Sequence, residues 1–383
     1  MKNKQHDVIV VGGGPVGSYT AYLLARSGLD VGIFERNPSI GKDVNCTGII
    51  SEACIRKFNL PDAVISKSIS SIKAISPSGV SVRYQSASPM AYVVNRGLFD
   101  NELNLMAKRE GATTYLNSRG EDIKVSDTAF NIEVRSGENR KEFSSKVGVI
   151  ATGFDPQSFR RIRRQPTDFL FGVQTDVVMD DLSDVEVYFG EKVAPGSFGW
   201  VVPTNGKSAK IGLIVKKSPG DFMKKFLRSP YISERINTVD PNIRCSPIPL
   251  NRIAKSFGER LIVVGEAAGQ VKTTTGGGIY FGILCAEIAA ETILKAVKGG
   301  DCGEKAMKGY ELLWRKRLEP ELRAGAMLRN LFTKLSDRQI DFLIDMAGKD
   351  GLMPVIDKAC FDWHKDVISY LVRHFINKKL FGR

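Results

Sequence analysis

Two glycine-rich segments, one near the amino terminus and one in the last third of the chain, constrain the fold of this sequence most strongly. The first, Gly12 to Gly17, follows the apolar β-branched run Val8 to Val11, which is typical of a buried parallel strand. The second begins at Gly265 after the apolar run Leu261 to Val264, and is followed by Gly276 to Gly278. Strand–glycine turn–helix segments bind the pyrophosphate of dinucleotides. The sequence therefore predicts an α/β fold with a Rossmann-type nucleotide-binding domain.

The first cluster has the residues that such a turn requires. Gly12, Gly14 and Gly17 would supply the tight turn, the close approach of the backbone to a pyrophosphate, and the close packing of helix on strand. We expect a helix from 18 to 27 that ends at Gly28 as its C-cap. The amino terminus of this helix would then face the phosphates.

An acidic residue stands where a dinucleotide site needs one. The apolar segment from 31 to 34 predicts a second strand, and Glu35 follows it directly. A carboxylate at this position can accept both ribose hydroxyls of an adenosine. Together with the glycines, it indicates an adenine dinucleotide as the ligand.

Composition limits the class of protein. The 383 residues are 43% hydrophobic, enough for a large core, and carry a formal net charge of +13. The cysteines lack metal-ligand spacing, so we expect no metal site and a reduced, cytoplasmic protein. We find no nucleic-acid-binding module and no membrane-spanning segment. The charge therefore favours an anionic substrate or peripheral contact with the inner face of a membrane.

The order of predicted elements indicates a discontinuous nucleotide domain with an inserted antiparallel β-sheet substrate domain. Three segments of the chain are assigned to the nucleotide domain, namely 1–67, 96–155 and 251–300. The β-rich substrate domain comprises 68–95 and 156–250. Residues 301–383 are expected to be helical, and Ser336 with Gln339 predicts a capping box there.

This layout, with Ala151-Thr152-Gly153 and the late Gly265-Glu266, resembles the p-hydroxybenzoate hydroxylase-like flavoproteins. The resemblance implies FAD as cofactor, with the late acidic residue on its ribitol and a glycine-rich helix start facing the flavin ring. Family members usually have Asp where this chain has Glu266. The residues expected to contact FAD are Gly12, Gly14, Pro15, Gly17, Glu35, Arg36, Cys46, Thr47, Arg96, Gly120, Gly265, Glu266, Gly276, Gly277, Gly278 and Ile279.

Three further segments resemble one branch of that superfamily, the geranylgeranyl reductases. Residues 195–203 are similar to its aromatic-Trp-Pro sheet motif, residues 41–48 to its cysteine-glycine loop, and residues 269–279 to its flavin loop. The resemblance implies a reductase that saturates C=C bonds in a geranylgeranyl chain on a lipid or a prenyl diphosphate. The electron donor would be ferredoxin, a quinol or another reduced carrier.

The chemistry of alkene reduction suggests roles for individual residues. An isolated alkene is unpolarised, so a proton must come from a group held near the double bond. Cys46 is the candidate, because an ordinary thiol, with a pKa of about 8.5, is protonated at neutral pH. Phe198, Trp200 and Pro203 are expected to line a prenyl tunnel. The alternatives are a small packing residue at Cys46 and a packed sheet aromatic at Trp200.

Two basic segments have open interpretations. The arginines between Arg160 and Arg164 are either a solvated face or a docking site for an acidic carrier or a lipid head group. The apolar face of residues 367–381, which basic residues surround, either lies on a membrane interface or caps the core of the protein.

Other functions also fit the superfamily. A related aromatic hydroxylase would carry an Asp-Gly motif where this chain has Ala151-Thr152-Gly153-Phe154, which argues against an NADPH-driven monooxygenase. A flavin halogenase depends on a lysine near the end of its tunnel. A non-catalytic prenyl-binding carrier, like the GDP-dissociation inhibitors, lacks the flavin-facing glycines. This chain retains Gly276 to Gly278, which favours an enzyme.

Overall fold

The computed structural model describes residues 5–154, 168–349 and 361–366. The chain divides into two compact units, each assembled from three segments. Unit 1 comprises the described residues of Met1–Val44, Arg96–Asp168 and Pro249–Glu319. Unit 2 comprises those of Asn45–Asn95, Phe169–Ile248 and Pro320–Arg383.

These units differ from the division expected from the sequence. Residues 45–67, assigned above to the nucleotide domain, belong to unit 2, because Ile49–Ser51 and Ile65–Ile69 pair there with Ala91–Val94. The described helical residues after 300 do not form a separate region, since those up to Glu319 belong to unit 1 and those from Pro320 to Lys349 belong to unit 2.

The regular elements have the following bounds. In chain order the strands are β1 (Gln5–Val11), β2 (Val31–Phe34), β3 (Ile49–Ser51), β4 (Ile65–Ile69), β5 (Ser71–Ile75), β6 (Ser81–Gln85), β7 (Ala91–Val94), β8 (Thr113–Tyr115), β9 (Arg119–Val125), β10 (Phe130–Ser136), β11 (Asn139–Ile150), β12 (Phe169–Val178), β13 (Val185–Tyr188), β14 (Gly199–Pro203), β15 (Ser208–Val215), β16 (Arg244–Pro249), β17 (Phe257–Gly258) and β18 (Leu261–Val263). The α-helices are α1 (Pro15–Arg26), α2 (Glu52–Ile55), α3 (Arg96–Arg109), α4 (Pro219–Leu227), α5 (Pro230–Ser233), α6 (Ile279–Lys298), α7 (Glu304–Phe332) and α8 (Asp337–Lys349).

Unit 1 contains a mostly parallel sheet in the order β17-β18-β11-β1-β2-β8. β1 pairs in parallel with β11 and β2, and β11 pairs in parallel with β18. Both glycine clusters therefore follow strands of this sheet, the first after β1 and the second after β18. The apolar side chains of Val8 to Val10 are fully buried, as expected for a central parallel strand. This arrangement confirms the predicted Rossmann-type architecture.

Unit 2 contains a seven-stranded sheet in the order β16-β12-β15-β14-β13-β5-β6 and a three-stranded sheet in the order β3-β7-β4. Most neighbours are antiparallel, as predicted, but β5 and β13 run parallel to each other. Residues 68–95 are divided between the two sheets, a separation that alternation of apolar residues could not reveal. One face of the larger sheet, carrying Trp200 and Val202, packs with Val93 of the smaller one.

The first helix differs from its expected limits, 18–27, by three residues at its start and one at its end. α1 begins at Pro15 rather than at 18, because proline is favoured at the first helical position. Gly28 follows the helix with φ +87°, as a C-capping glycine does. One half of the capping box before α8 is formed, since the backbone N–H of Ser336 donates to Gln339 Oε1 at 2.9 Å, and the serine hydroxyl donates to the same oxygen at 3.1 Å. The arginines at 160–164 and the segment 367–381 lie outside the described residues.

Candidate functional site

The first glycine cluster forms a tight turn between β1 and α1. Gly12 has φ +110°, and a Cβ placed there would lie 2.4 Å from the carbonyl oxygen of Ala151. A Cβ on Gly17 would lie 2.0 Å from the carbonyl oxygen of Gly12, so the helix contacts the turn too closely for any side chain. A Cβ on Gly14, in contrast, would meet no atom within 4 Å. The backbone at Gly14 is therefore open to a ligand, as a pyrophosphate requires.

Glu35 is fixed beside this turn by two backbone hydrogen bonds. Its Oε2 accepts the N–H of Gly13 at 2.8 Å, and its Oε1 accepts the N–H of Asn37 at 2.9 Å. Each carboxylate oxygen retains a lone pair that can accept a further hydroxyl. The next residue, Arg36, is exposed. The turn and Glu35 together have the donor and acceptor groups that an ADP moiety needs.

Arg96 is the first residue of α3, and its guanidinium is held by an aspartate one turn later. Its Nε and Nη2 each donate to a carboxylate oxygen of Asp100 at 2.9 Å, and both side chains are largely buried. This planar two-bond geometry fixes the direction of the arginine. Sequence reasoning missed Asp100, although the four-residue spacing on a predicted helix was a usable signal.

The second cluster turns sharply at Gly265, which has φ +74°. Its N–H donates to Oε1 of the buried Gln270 at 2.7 Å. Burial raises the pKa of the adjacent Glu266 carboxyl to about 7, and the Arg96 guanidinium and the Phe154 N–H oppose that rise. A desolvated carboxyl group that has these polar neighbours can hold the hydroxyls of a ligand.

The glycines that follow form a compact loop before α6. The N–H of Lys272 donates to the carbonyl oxygen of Gly277, and the N–H of Gly276 donates to that of Lys272. α6 begins at Ile279 with Gly278 as its N-cap residue, so its first N–H groups are available to an electronegative ligand edge. Gly120 lies in β9, where a Cβ would meet Ile132 Cδ1 at 2.7 Å, which gives this glycine a packing role as well.

The predicted substrate residues lie in unit 2, on or beside β14. The rings of Phe198 and Trp200 have centroids 6.0 Å apart, and Pro203 is buried at the end of the strand. The indole of Trp200 lies over Gly212, where an added Cβ would be 2.3 Å from Cζ2. Glycine at 212 is therefore what allows the tryptophan to lie flat on the sheet.

Cys46 and Thr47 lie in the segment that leads into β3 of unit 2. The Cys46 sulfur accepts the N–H of Gly48 at 3.4 Å, and the thiol is free and partly buried. The hydroxyl of Thr47 donates to Oε1 of Gln174, on β12, at 3.0 Å. Sequence reasoning did not identify Gln174, because no motif links β12 to this segment.

The residues of unit 1 fit FAD as their ligand. Gly14 leaves the space that a phosphate needs, Glu35 offers acceptors for ribose hydroxyls, and Glu266 is a desolvated carboxyl group beside the second turn. Among the described residues there is no cluster of His, Cys, Asp and Glu suited to a metal ion. In that same part of the chain, every helix is too short or too polar to cross a membrane.

Comparisons with known proteins agree with FAD as the cofactor. The sequence family described as FAD dependent oxidoreductase matches residues 7–64. The chain is 30% identical over 368 residues to the digeranylgeranylglycerophospholipid reductase of Methanocaldococcus jannaschii, covering 91% of this chain and 93% of that protein. It is 28% identical over 363 residues to digeranylgeranylglycerophospholipid reductase 2 of Methanothermobacter thermautotrophicus, covering 90% and 93%.

A solved structure has the same fold. The geranylgeranyl bacteriochlorophyll reductase-like protein of Thermoplasma acidophilum superposes with a TM-score of 0.84 at 23% identity, covering 90% of this chain and 92% of that one. Fold and site thus define an FAD-dependent oxidoreductase. Within that class, the chain belongs to the geranylgeranyl reductase family, together with the digeranylgeranylglycerophospholipid reductases.

Proposed function

We propose that this enzyme reduces the C=C bonds of geranylgeranyl chains carried by a glycerophospholipid. The observation that carries the proposal is the relationship to reductases of that name, which extends over about nine-tenths of the chain and so includes both units. The partly exposed aromatic pair Phe198 and Trp200 supports it, because an isoprenoid chain offers no polar group for recognition.

FAD is assigned to unit 1. Gly12, Gly14 and Gly17 bring the backbone and the start of α1 to its pyrophosphate, with Pro15 as the first helical residue. Glu35 holds the adenosine ribose, and Arg96 and Glu266 hold the ribitol side. Contacts are also proposed for Arg36, Cys46, Thr47, Gly120, Gly265, Gly276, Gly277, Gly278 and Ile279. When reduced, this cofactor supplies the hydride equivalent for the reaction.

The residues of unit 2 are assigned to the lipid. Phe198 and Trp200 bind the isoprenoid chain by apolar contact and keep water away from its double bonds. Pro203, also predicted to bind the chain, is buried on the opposite face of β14 from Trp200 and is assigned a packing role. Cys46 donates the proton that the unpolarised alkene requires and regains one from solvent. The N–H of Gly48 bonds to the sulfur and so limits the directions in which the S–H can point.

The remaining partners follow from the same chemistry. A reduced carrier, such as a ferredoxin, supplies electrons, and the basic surface favours contact with a membrane that contains anionic lipids. We place the enzyme in the cytoplasm, on the inner face of that membrane.

Product analysis tests the proposal. The FAD-loaded enzyme is reduced with dithionite under anaerobic conditions and incubated with a digeranylgeranyl glycerophospholipid, and the lipid is examined by mass spectrometry. We expect a gain of two hydrogens for each bond reduced. An unchanged lipid without air, together with an oxygenated or halogenated product when air and halide are added, would contradict the proposal.

A further inference from the structure

The segment that carries Cys46 is fastened to β12 on both sides of the cysteine. The Asn45 side-chain amide donates to the carbonyl oxygen of Gly172 at 3.4 Å and to Ser246 Oγ at 3.1 Å. On the other side, the Thr47 hydroxyl donates to Oε1 of Gln174 at 3.0 Å. Two residues of one strand therefore hold the neighbours of the cysteine.

The backbone closes this arrangement. Gly48 has φ +80°, its N–H donates to the sulfur, and its carbonyl oxygen accepts the N–H of Val94. Thr47 stands in the chain between Cys46, which carries the sulfur, and Gly48, which donates its N–H to that sulfur. The hydrogen bond from Thr47 to Gln174 therefore restrains both partners of the S···H–N contact. A change at Gln174 would therefore act on the thiol through Thr47.

Gln174 itself occupies an unusual position. Its side chain is only 3% exposed, and among the described residues its Nε2 has no hydrogen-bond partner. Residues directly opposite in antiparallel strands point to the same face, and Gln174 pairs with Gly212, which pairs with Trp200. The indole Nε1 of Trp200 is also buried without a partner in the described part of the chain. The amide thus lies in the same row as the proposed lipid wall.

We propose that Gln174 is a positioning residue for Cys46, acting through the hydroxyl of Thr47. A buried amide with an unused N–H is a poor choice for stability alone, since an apolar side chain would avoid the desolvation cost. Its oxygen, however, supplies the acceptor that holds the cysteine segment. The inference rests on the proposed function for its catalytic meaning, but the geometry that it predicts is measurable without turnover.

A double-mutant cycle on the FAD-loaded enzyme tests this assignment. The variants are Thr47→Val, Gln174→Leu and their combination, and the measurement is the rate at which iodoacetamide alkylates Cys46, followed by peptide mass spectrometry. Each single variant should raise this rate by about fivefold, the equivalent of one typical hydrogen bond, and the combination should raise it no further. Additive effects, or no effect, would overturn the proposal. Gln174→Met replaces Gln174→Leu if the latter does not fold.

Thr175→Val is the matched control. Thr175 is the next residue of β12, is fully buried, points to the opposite face, and donates its hydroxyl to the carbonyl oxygen of Asn242 at 2.9 Å. Loss of that bond should destabilise the fold about as much as Gln174→Leu does, while leaving the rate of Cys46 alkylation unchanged. If Thr175→Val raised the rate of Cys46 alkylation equally, the effect of Gln174→Leu would reflect general destabilisation and the positioning role would be wrong.

Turnover provides the second readout. With the lipid, Gln174→Leu should lower kcat and leave KM and FAD content unchanged. Thr47→Val should also lower kcat, with FAD content measured alongside because Thr47 is a proposed FAD contact, and Thr47→Ser should retain kcat because it keeps the hydroxyl. If the wild-type enzyme does not reduce the lipid, the proposed function fails while the alkylation cycle still decides the role of Gln174. If turnover occurs but the variants retain full kcat, the positioning role is wrong and the proposed function still stands.

Discussion

Gln270 and Tyr310 are joined by a buried hydrogen bond, in which the amide Nε2 donates to the phenolic oxygen at 2.8 Å. Tyr310 donates in turn to the carbonyl oxygen of Val263 at 3.0 Å, and Oε1 of Gln270 accepts the N–H of Gly265. A residue of α7 thereby holds both the end of β18 and the turn that follows it. We expect the position of the adjacent Glu266 carboxyl group to depend on this chain of bonds.

Replacing the tyrosine tests that dependence. Tyr310→Phe leaves the Gln270 N–H and the Val263 carbonyl unpaired inside the protein, which should cost about 1–3 kcal/mol of unfolding free energy and weaken FAD binding. Urea denaturation of the apoprotein and titration with FAD measure the two effects. Tyr22→Phe removes only an exposed bond from Arg26, so it should change neither. If the two variants had the same unfolding free energy and FAD affinity, the buried hydrogen bonds of Tyr310 would not be needed.

The first glycine turn has no room for a methyl group at one position. Gly17→Ala would bring a Cβ to within 2.0 Å of the carbonyl oxygen of Gly12, so α1 must move away from the turn. The purified variant should be colourless or nearly so, and less stable by about 1–3 kcal/mol. Gly309→Ala is the control, because it meets no atom within 4 Å and should stabilise α7 slightly. Normal flavin content in Gly17→Ala would contradict the assigned site.

Asp100 should matter through Arg96 rather than by itself. Asp100→Asn loses the two charge-assisted bonds that direct the guanidinium, and FAD affinity should fall by about tenfold, with a small loss of stability. Asp345→Asn breaks an exposed pair with Lys349 at the same spacing and should change FAD affinity little. Fluorescence titration of both apoproteins gives the comparison, and unchanged affinity in Asp100→Asn would contradict a role for Arg96.

The raised pKa of Glu266 predicts how the apoprotein responds to pH. Its folded value is about 7 against 4.5 for the ordinary side chain, so the folded state binds more protons between these values and stability falls as pH rises through them. The effect should be about 1–3 kcal/mol, because the pKa shift sets an upper limit of about 3 kcal/mol and the side chain is only partly buried. Glu266→Gln should remove this dependence of the unfolding free energy on pH. If the variant and the wild-type apoprotein lost stability equally with rising pH, the raised pKa of Glu266 would be contradicted.

Sequence patterns were sufficient for the first glycine turn of unit 1 because its signals are local. The run Val8–Val11, the glycines after it and Glu35 are close in the chain, and the structure keeps them in that order around one turn. Asp100 could have been found in the same way, from its spacing to Arg96. Gln270 and Tyr310 could not, because their bond joins residues far apart in the chain and follows from tertiary packing.

Unit 2 was harder to predict because its contacts are non-local. The parallel pairing of β5 with β13 joins two strands far apart in the sequence, and period-two alternation does not specify a partner. The same applies to Gln174 and Thr47, which meet only because β12 lies beside the segment before β3. The motif around Trp200 indicated an aromatic wall, but the glycine beneath the indole is visible only in the folded sheet.

The absorbance of the purified enzyme during one anaerobic cycle is the most direct test of alkene reduction. The flavin bands are bleached with a stoichiometric amount of dithionite, so that no reductant remains, and a digeranylgeranyl glycerophospholipid is then added with air excluded. We predict that the bands return in proportion to the double bonds supplied, and that a fully saturated analogue leaves them bleached. Bands that return only when air is admitted would contradict alkene reduction as the function of this protein.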